Sequence, residues 1–315
     1  MADNVQNTEK KTLKQKLWDF YDKQYKMLLI FPFLMLVLAL GQIAYQIQTT
    51  GDFVGKDVSL SGGATITVPY SKQPDVKKLQ DDVNSAFKSH EIIVRVLKNP
   101  SGVAGIVFES PIDGNNAADV ERLKASIETA LGVKLEKGSY GIEIIGSSLG
   151  ESFFRESIIA LIVAFIFMGI VVLLFFRTLI PSIAVIIAGF SDIVVSIAVI
   201  NIMGMKIGTA GIAAFLMLIG YSVDTDILLT IRVLKRKEGT VMDRIHGSIR
   251  TGMTMTYAAM VSVVVALLVT NSEVIKQIMI ILLVGLFADI LNTWIQNVGL
   301  LRLYIERKQK KGMQI

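Results

Sequence analysis

Six long apolar runs set the terms on which this sequence can fold. Crossing the hydrocarbon of a bilayer takes about 20 apolar residues, and runs of that order lie at 27–47, 158–176, 181–203, 209–231, 254–270 and 278–301. A segment in lipid must satisfy its own backbone N–H and C=O groups, so each run is expected as a transmembrane helix. The whole chain agrees: 52% of its residues are hydrophobic, and a mean hydropathy of +0.55 exceeds what a solvated surface carries. The expected class is an α-helical polytopic membrane protein with six transmembrane helices.

Charge gives the orientation. Lys10, Lys11, Lys14, Lys16, Lys23 and Lys26 precede the first run; Arg232, Lys235, Arg236, Lys237, Arg244 and Arg250 follow the fourth; Arg302, Arg307, Lys308, Lys310 and Lys311 follow the sixth. With six spans all three groups fall on one side, and the Lys/Arg bias makes that side cytoplasmic. The net charge of +5 is thereby read as a topology signal, with no nucleic-acid partner. The polar tail before the first run is too long and too mixed in sign for a signal peptide, so that run is expected to stay as an anchor. The organisation that follows is a cytoplasmic tail at 1–26, a first helix at 27–47, an extracytoplasmic domain at 48–153, five further helices within 154–301 and a basic cytoplasmic tail at 302–315, in the cell (plasma) membrane.

The domain at 48–153 alternates between two periodicities. "GGATITVPY" (Gly62–Tyr70), "IIVRVL" (Ile92–Leu97), "VAGIVFE" (Val103–Glu109) and "YGIEIIG" (Tyr140–Gly146) are strand-like, and "KNPSG" reads as a hairpin turn. Between them, Val76, Leu79, Val83 and Phe87 fall at helical spacing, and 117–131 is again amphipathic. The order β-α-β-β-α-β predicts an α+β, ferredoxin-like domain with two helices on one sheet. Its acids scatter over helix faces among Lys and Arg, as on a solvated surface, which points to docking rather than to an enzyme. With no cysteine and only His90 and His246, neither a disulfide nor a metal site is expected, and no cofactor is implied. His246 reads as a solvated residue of the loop between spans four and five.

Acids inside the apolar runs are the chemical signal. Asp192 and Asp289 lie near the centres of spans three and six, and Asp224 and Asp226 lie in span four. A carboxylate at such depth costs about 2.5–3.5 kcal/mol and by default marks an ion or proton path. Asp224 and Asp226 are about 200° apart around a helix and cannot face one cavity. Asp224 is expected in the deeper role, with Asp226 at an interface or reaching toward Arg232, and Arg250 is the candidate counter-charge. Other readings stay open: interhelical hydrogen bonding for Asp192 and Asp289, and a cytoplasmic anchor for Arg250.

Several motifs carry a family resemblance. They are "DVSLSGGATI" (Asp57–Ile66), "IIGSSLGESFFRESIIALI" (Ile144–Ile162), "SDIVVSI" around Asp192, "GYSVDTDILLTIRVLK" (Gly220–Lys235) and "SIRTGMT" (Ser248–Thr254). With the order of one span, a ferredoxin-like domain and five spans, the chain resembles the SecF family, the smaller subunit of the SecDF protein-export complex in the resistance-nodulation-division (RND) superfamily. Bacterial members carry Asn-Asp where this chain has Asp224-Thr225, an arrangement like that of SecD. The stretch "VDTDILLT" is similar to the archaeal branch, and Asp289 has no firm counterpart in the bacterial pattern. The resemblance implies a heteromer with SecD, work beside a SecYEG-type translocon on translocating polypeptide in membrane lipid, and use of the proton motive force. It puts the relay arginine at Arg250 and, with the intramembrane acids, gives Asp192, Asp224, Asp226, Arg250 and Asp289 as proton relay candidates. The alternatives are an RND-type exporter of a small hydrophobic molecule and a non-transporting membrane scaffold or foldase.

Overall fold

The computed structural model describes residues 13–86, 92–99, 102–112, 116–136, 138–236, 238–270 and 272–312. Lys10, Lys11, Phe87, His90, Pro100, Ser101 and Lys237, named above, lie outside the described residues. The chain begins with helix α1 (Leu13–Lys23), followed by α2 (Tyr25–Leu28) and α3 (Ile30–Thr50). Pro32 sits in the first turn of α3, where a missing N–H breaks no helical hydrogen bond. The helix stops at Gly51, whose left-handed φ of 80° lets its N–H return to the carbonyl of Ile47.

The small α+β unit comes next. A one-turn helix, α4 (Val58–Ser61), is capped by Asp57, whose Oδ1 accepts from the Ser59 N–H at 2.8 Å. Then come β1 (Gly63–Pro69), α5 (Val76–Ala86), β2 (Ile93–Asn99), β3 (Gly102–Ser110), α6 (Ala117–Leu131) and β4 (Gly141–Ile145). The sheet runs β2-β3-β1-β4 with every neighbouring pair antiparallel. Alternation along the strands sends Ala64, Ile66, Val68, Val94, Ile106 and Phe108 to one face. There they pack under Leu79 and Val83 of α5 and Leu123 and Ile127 of α6. The opposite face carries Thr65, Thr67, Arg95 and Glu109 toward the ends of the long helices.

The bundle consists of α3 with α7 (Ser147–Phe176), α8 (Leu179–Ile202), α9 (Thr209–Lys235), α10 (Val241–Val269) and α11 (Glu273–Leu291). The last continues through a π-helical segment (Asn292–Asn297) into α12 (Val298–Lys310). Among the described residues, six helical stretches are long and apolar enough to cross a membrane. Two begin well before their apolar runs: α7 at Ser147 and α10 at Val241. Hydropathy registers only the part suited to hydrocarbon, whereas the start of α10 is set by a capping box. There Thr240 Oγ1 accepts from the Asp243 N–H at 3.1 Å, and Asp243 Oδ2 accepts from the Thr240 N–H at 2.9 Å.

α8 is the most enclosed helix, and α7 and α10 leave large apolar side chains such as Phe167, Leu174, Val265 and Leu268 exposed, as lipid-facing helices do. The sheet unit is fastened to the bundle by backbone. The Ile207 N–H donates to the Gly55 carbonyl at 2.7 Å, and the Asp57 N–H donates to the Ile207 carbonyl at 3.0 Å. Gly150 lies so close to Gly62 that a Cβ there would overlap the Gly62 backbone nitrogen, which fixes how α4 sits on α7.

His246 departs from its sequence reading. It lies within α10, half-buried, with Nε2 3.2 Å from Asp22 Oδ1 and its ring 4.1 Å from that of Trp18. α1 folds back onto the bundle: the Tyr21 hydroxyl donates to the Trp294 carbonyl at 2.5 Å, and Arg302 donates to the Asp22 carbonyl at 2.7 Å. Loop expectation failed here because α10 starts a dozen or so residues before its apolar run.

Candidate functional site: a buried carboxyl cluster

Three helices bring one carboxyl group each into the bundle core: Asp192 on α8, Asp226 on α9 and Asp289 on α11, all with no exposed surface. Asp192 Oδ1 accepts from Asn292 Nδ2 at 2.7 Å, and its Oδ2 accepts from the Ser222 hydroxyl. Asp226 Oδ1 accepts from Asn297 Nδ2 at 2.7 Å and lies 2.9 Å from Thr293 Oγ1. The same Thr293 oxygen is 2.9 Å from Asp289 Oδ1. Behind the cluster, Gln296 Nε2 donates to Ser191 Oγ at 3.3 Å.

The π-helical turn makes this arrangement. Its i→i+5 bonding widens the helix, and such segments occur often at functional sites. Here Asn292, Thr293, Gln296 and Asn297 are all fully buried, so one short stretch turns four polar side chains into the core. Spacing in the sequence draws attention to Asn292 but not to the other three. The signal that was present is the run "NTWIQN" itself, four polar residues in a segment apolar on both sides.

Span four is resolved differently from the expectation. Asp226 is buried and Asp224 is exposed, the opposite of the depths expected from the sequence. The reason is helical phase: Leu218, Ser222, Asp226, Leu229 and Val233 form a buried stripe, while Ala213, Met217, Gly220 and Asp224 form an exposed one. Arg250 is also exposed and does not join the carboxyl cluster. Arg232 does not meet Asp226 either; its NH1 donates to the Gly247 carbonyl at 3.0 Å and to Thr251 Oγ1 at 2.7 Å, tying α9 to α10. Ser222, on the same buried stripe as Asp226, serves Asp192.

Among the described residues no Lys, Arg or His forms an ion pair with any of the three buried acids. Nor do three or more His, Cys, Asp or Glu side chains converge there as metal ligands. Several acceptor atoms in the cluster are buried without a hydrogen-bond partner: Asp226 Oδ2, Asp289 Oδ2, Asn292 Oδ1, Gln296 Oε1 and Asn297 Oδ1. Buried polar atoms are ordinarily paired, so this concentration marks the place where the bundle departs from plain packing.

A second concavity of about 500 Å³ lies between the open face of the sheet and the ends of α9 and α11, lined by Thr65, Arg95, Glu109, Glu143, Thr209 and Glu273 among others. Arg95 NH2 is 3.3 Å from Glu109 Oε2. Burial nonetheless raises the Glu109 carboxyl above the ordinary glutamate value, with Arg95 pulling the other way.

Fold and cluster together define a polytopic membrane protein with titratable groups built into its helical core and a small α+β unit inserted after the first spanning helix. Residues 125–307 match the family described as "Protein export membrane protein SecD/SecF, C-terminal". The chain is 35% identical to the protein-export membrane protein SecF of Pyrococcus furiosus, covering 95% of this chain and 97% of that one. It is 33% identical to SecF of Methanocaldococcus jannaschii, covering 92% and 99%. The fold is similar to the crystal structure of SecDF, a translocon-associated membrane protein from Thermus thermophilus, with a TM-score of 0.68 at 17% identity. That likeness covers 90% of this chain and 38% of the longer one, so this chain spans well under half of SecDF. A second SecDF structure, in a super-membrane-facing form, matches with a TM-score of 0.58 at 16% identity, over 92% of this chain and 39% of that one. The chain belongs to the SecF family of protein-export membrane proteins.

Proposed function

We propose that this chain is an auxiliary subunit of the Sec protein translocon, which with a SecD-type partner assists protein export and draws on the proton motive force. The observation that carries the coupling is the trio Asp192, Asp226 and Asp289, three fully buried carboxyl groups in a membrane bundle with no cation among the described residues paired to them. Each is expensive at that depth, and interhelical adhesion alone would be met by amides or hydroxyls. Groups that gain and lose protons explain the cost. Moving one charge through 100 mV releases about 2.3 kcal/mol, so a few protons per cycle can bias two arrangements of the helices.

The exposed stripe of α9 supports a partner subunit. Ala213 and Gly220 are small, which allows close approach of another helix, and Asp224 on the same stripe is a carboxylate that lipid would not solvate. A second six-helix unit of SecD type on this face would enclose Asp224, and a SecD-type chain would bring Asp224 and Arg250 into the relay. The sheet unit, read as a ferredoxin-like domain, is placed outside by the Lys and Arg of the segments at 1–26, 232–250 and 302–315, which belong on the cytoplasmic side. There it can meet polypeptide leaving a SecYEG-type translocon, with the bundle in lipid.

Export of a secretory precursor into sealed vesicles under an imposed proton gradient tests the reading. Asp192→Asn, Asp226→Asn and Asp289→Asn are expected to lower gradient-stimulated export together with proton flux. Unchanged export and flux in all three would reduce the acids to interhelical hydrogen-bonding groups, and a partner-free chain expelling a small hydrophobic molecule would replace the proposal altogether.

A further inference from the structure

We propose that Asp289 carries a proton, shared through the hydroxyl of Thr293 with Asp226. A count of hydrogens leads there. Five short contacts reach the three carboxyl groups, from Ser222, Asn292, Asn297 and twice from Thr293. Only four hydrogens supply them, because a threonine hydroxyl carries one and Thr293 Oγ1 makes two of the contacts. If each contact has its own hydrogen, one of its two partners donates to it.

The position of that donor follows from what else each acid receives. Both oxygens of Asp192 accept from other side chains. Asp226 Oδ1 already accepts from Asn297 Nδ2 at 2.7 Å. Asp289 Oδ1 meets Thr293, and the Ser222 hydroxyl that also lies beside Asp289 gives its hydrogen to Asp192. A carboxylic O–H on Asp289 donating to Thr293 Oγ1, whose own hydrogen goes to Asp226 Oδ1, satisfies every contact. An independent observation agrees: Asn292 and Asn297 are fully buried with their nitrogens on carboxylates and their Oδ1 atoms unpartnered. These spare acceptors are places where a proton on the cluster can be hydrogen-bonded.

Among the described residues, the groups facing Asp289 are the other two acids and the Tyr221 hydroxyl of α9, with no cation paired to them. α8 presents Asp192, α9 presents Asp226 with Asp224 turned outward, α10 presents Gly252 and the buried Thr256 with Arg250 exposed, and the π segment and α12 place their arginine, Arg302, on Asp22. α3 contributes apolar side chains such as Ala39 and Ile43 against α8. A proton leaving Asp289 through Thr293 reaches the carboxylate of Asp226, one helix away. Thr293 is then a positioning and bridging residue between two helices that can move against each other.

This deepens the relay reading above and takes its purpose from it, but its test reads where the proton sits rather than whether export runs. The full chain in lipid nanodiscs at neutral pH is examined by infrared spectroscopy for the carbonyl stretch of a protonated carboxyl and its deuterium shift. A band from Asp289 is expected, lost in Asp289→Asn, displaced in Thr293→Val, restored in Thr293→Ser and kept in Asp192→Asn. Absence of the band, its survival in Asp289→Asn, or an equal response of Thr293→Ser and Thr293→Val overturns the assignment. So does a sodium-dependent shift of the ionised carboxylate bands in place of a protonated one. Export measured on the same variants separates the two ideas: an assigned band with export indifferent to Asp289 removes only the coupling role, and a missing band with Asp-dependent export removes only the shared proton.

Discussion

Asp226 and Asp289 stand on different helices and meet through a single atom, Thr293 Oγ1, which is 2.9 Å from an oxygen of each. Everything chemical about this bundle is organised around that bridge. Because both acids are fully buried, removing either leaves Thr293 with the other alone and no solvent to replace the lost contact.

Span four therefore offers a sharp comparison. Asp226→Ala leaves Asn297 Nδ2 without its acceptor in the core and Thr293 with Asp289 alone, and an unsatisfied buried group costs about 1–3 kcal/mol. Thermal unfolding in detergent should show that loss, whereas Asp224→Ala, on the exposed stripe, should stay within about 0.5 kcal/mol of the parent. Equal destabilisation by the two would contradict the helical phase described here.

The close crossing of α10 and the π segment gives a second expectation. A Cβ on Gly252 would overlap the indole of Trp294, and Thr225 lies on the same side at 3.5 Å. Gly252→Val should cost about 1–3 kcal/mol through overpacking, and pairing it with Trp294→Leu should recover part of the loss. A double mutant no better than the sum of the single changes would deny the contact.

α1 is docked by few groups, so its attachment can be measured. Burial raises the Tyr21 phenol, and with it the hydroxyl stays protonated and donates to the Trp294 carbonyl throughout the physiological range. Tyr21→Phe removes one hydrogen bond worth about 0.5–1.5 kcal/mol, and amide exchange in α1 should accelerate without change elsewhere.

Glu109 makes the sheet unit sensitive to pH. Its carboxyl is raised by burial, so the folded unit binds more protons than the unfolded chain between the ordinary glutamate range and the raised value. Stability is then complete below that window and falls as pH rises through it. Glu109→Gln should flatten the profile of amide exchange in β3, and a profile that rises with pH in the parent would reverse the sign claimed.

Much of this architecture could be read from amino-acid order alone. Apolar runs of membrane length, strand alternation around Ile66 and Phe108 and the helical spacing of Val76, Leu79 and Val83 are local patterns, so six long helices and a β-α-β-β-α-β unit follow without tertiary knowledge. Acids at mid-depth are equally visible, since Asp192 and Asp289 interrupt apolar runs. What the order of residues left open was decided by packing. Whether Asp224 or Asp226 turns inward depends on which stripe of α9 meets α8 and α11, and two acids two positions apart take opposite answers. Thr293, Gln296 and Asn297 reach the core because a π-helical turn widens the last spanning helix, and His246 meets Asp22 because α1 folds back over 200 residues of intervening chain. Contacts between residues so distant in sequence have no local signature; they are set only when the helices choose their phases against one another.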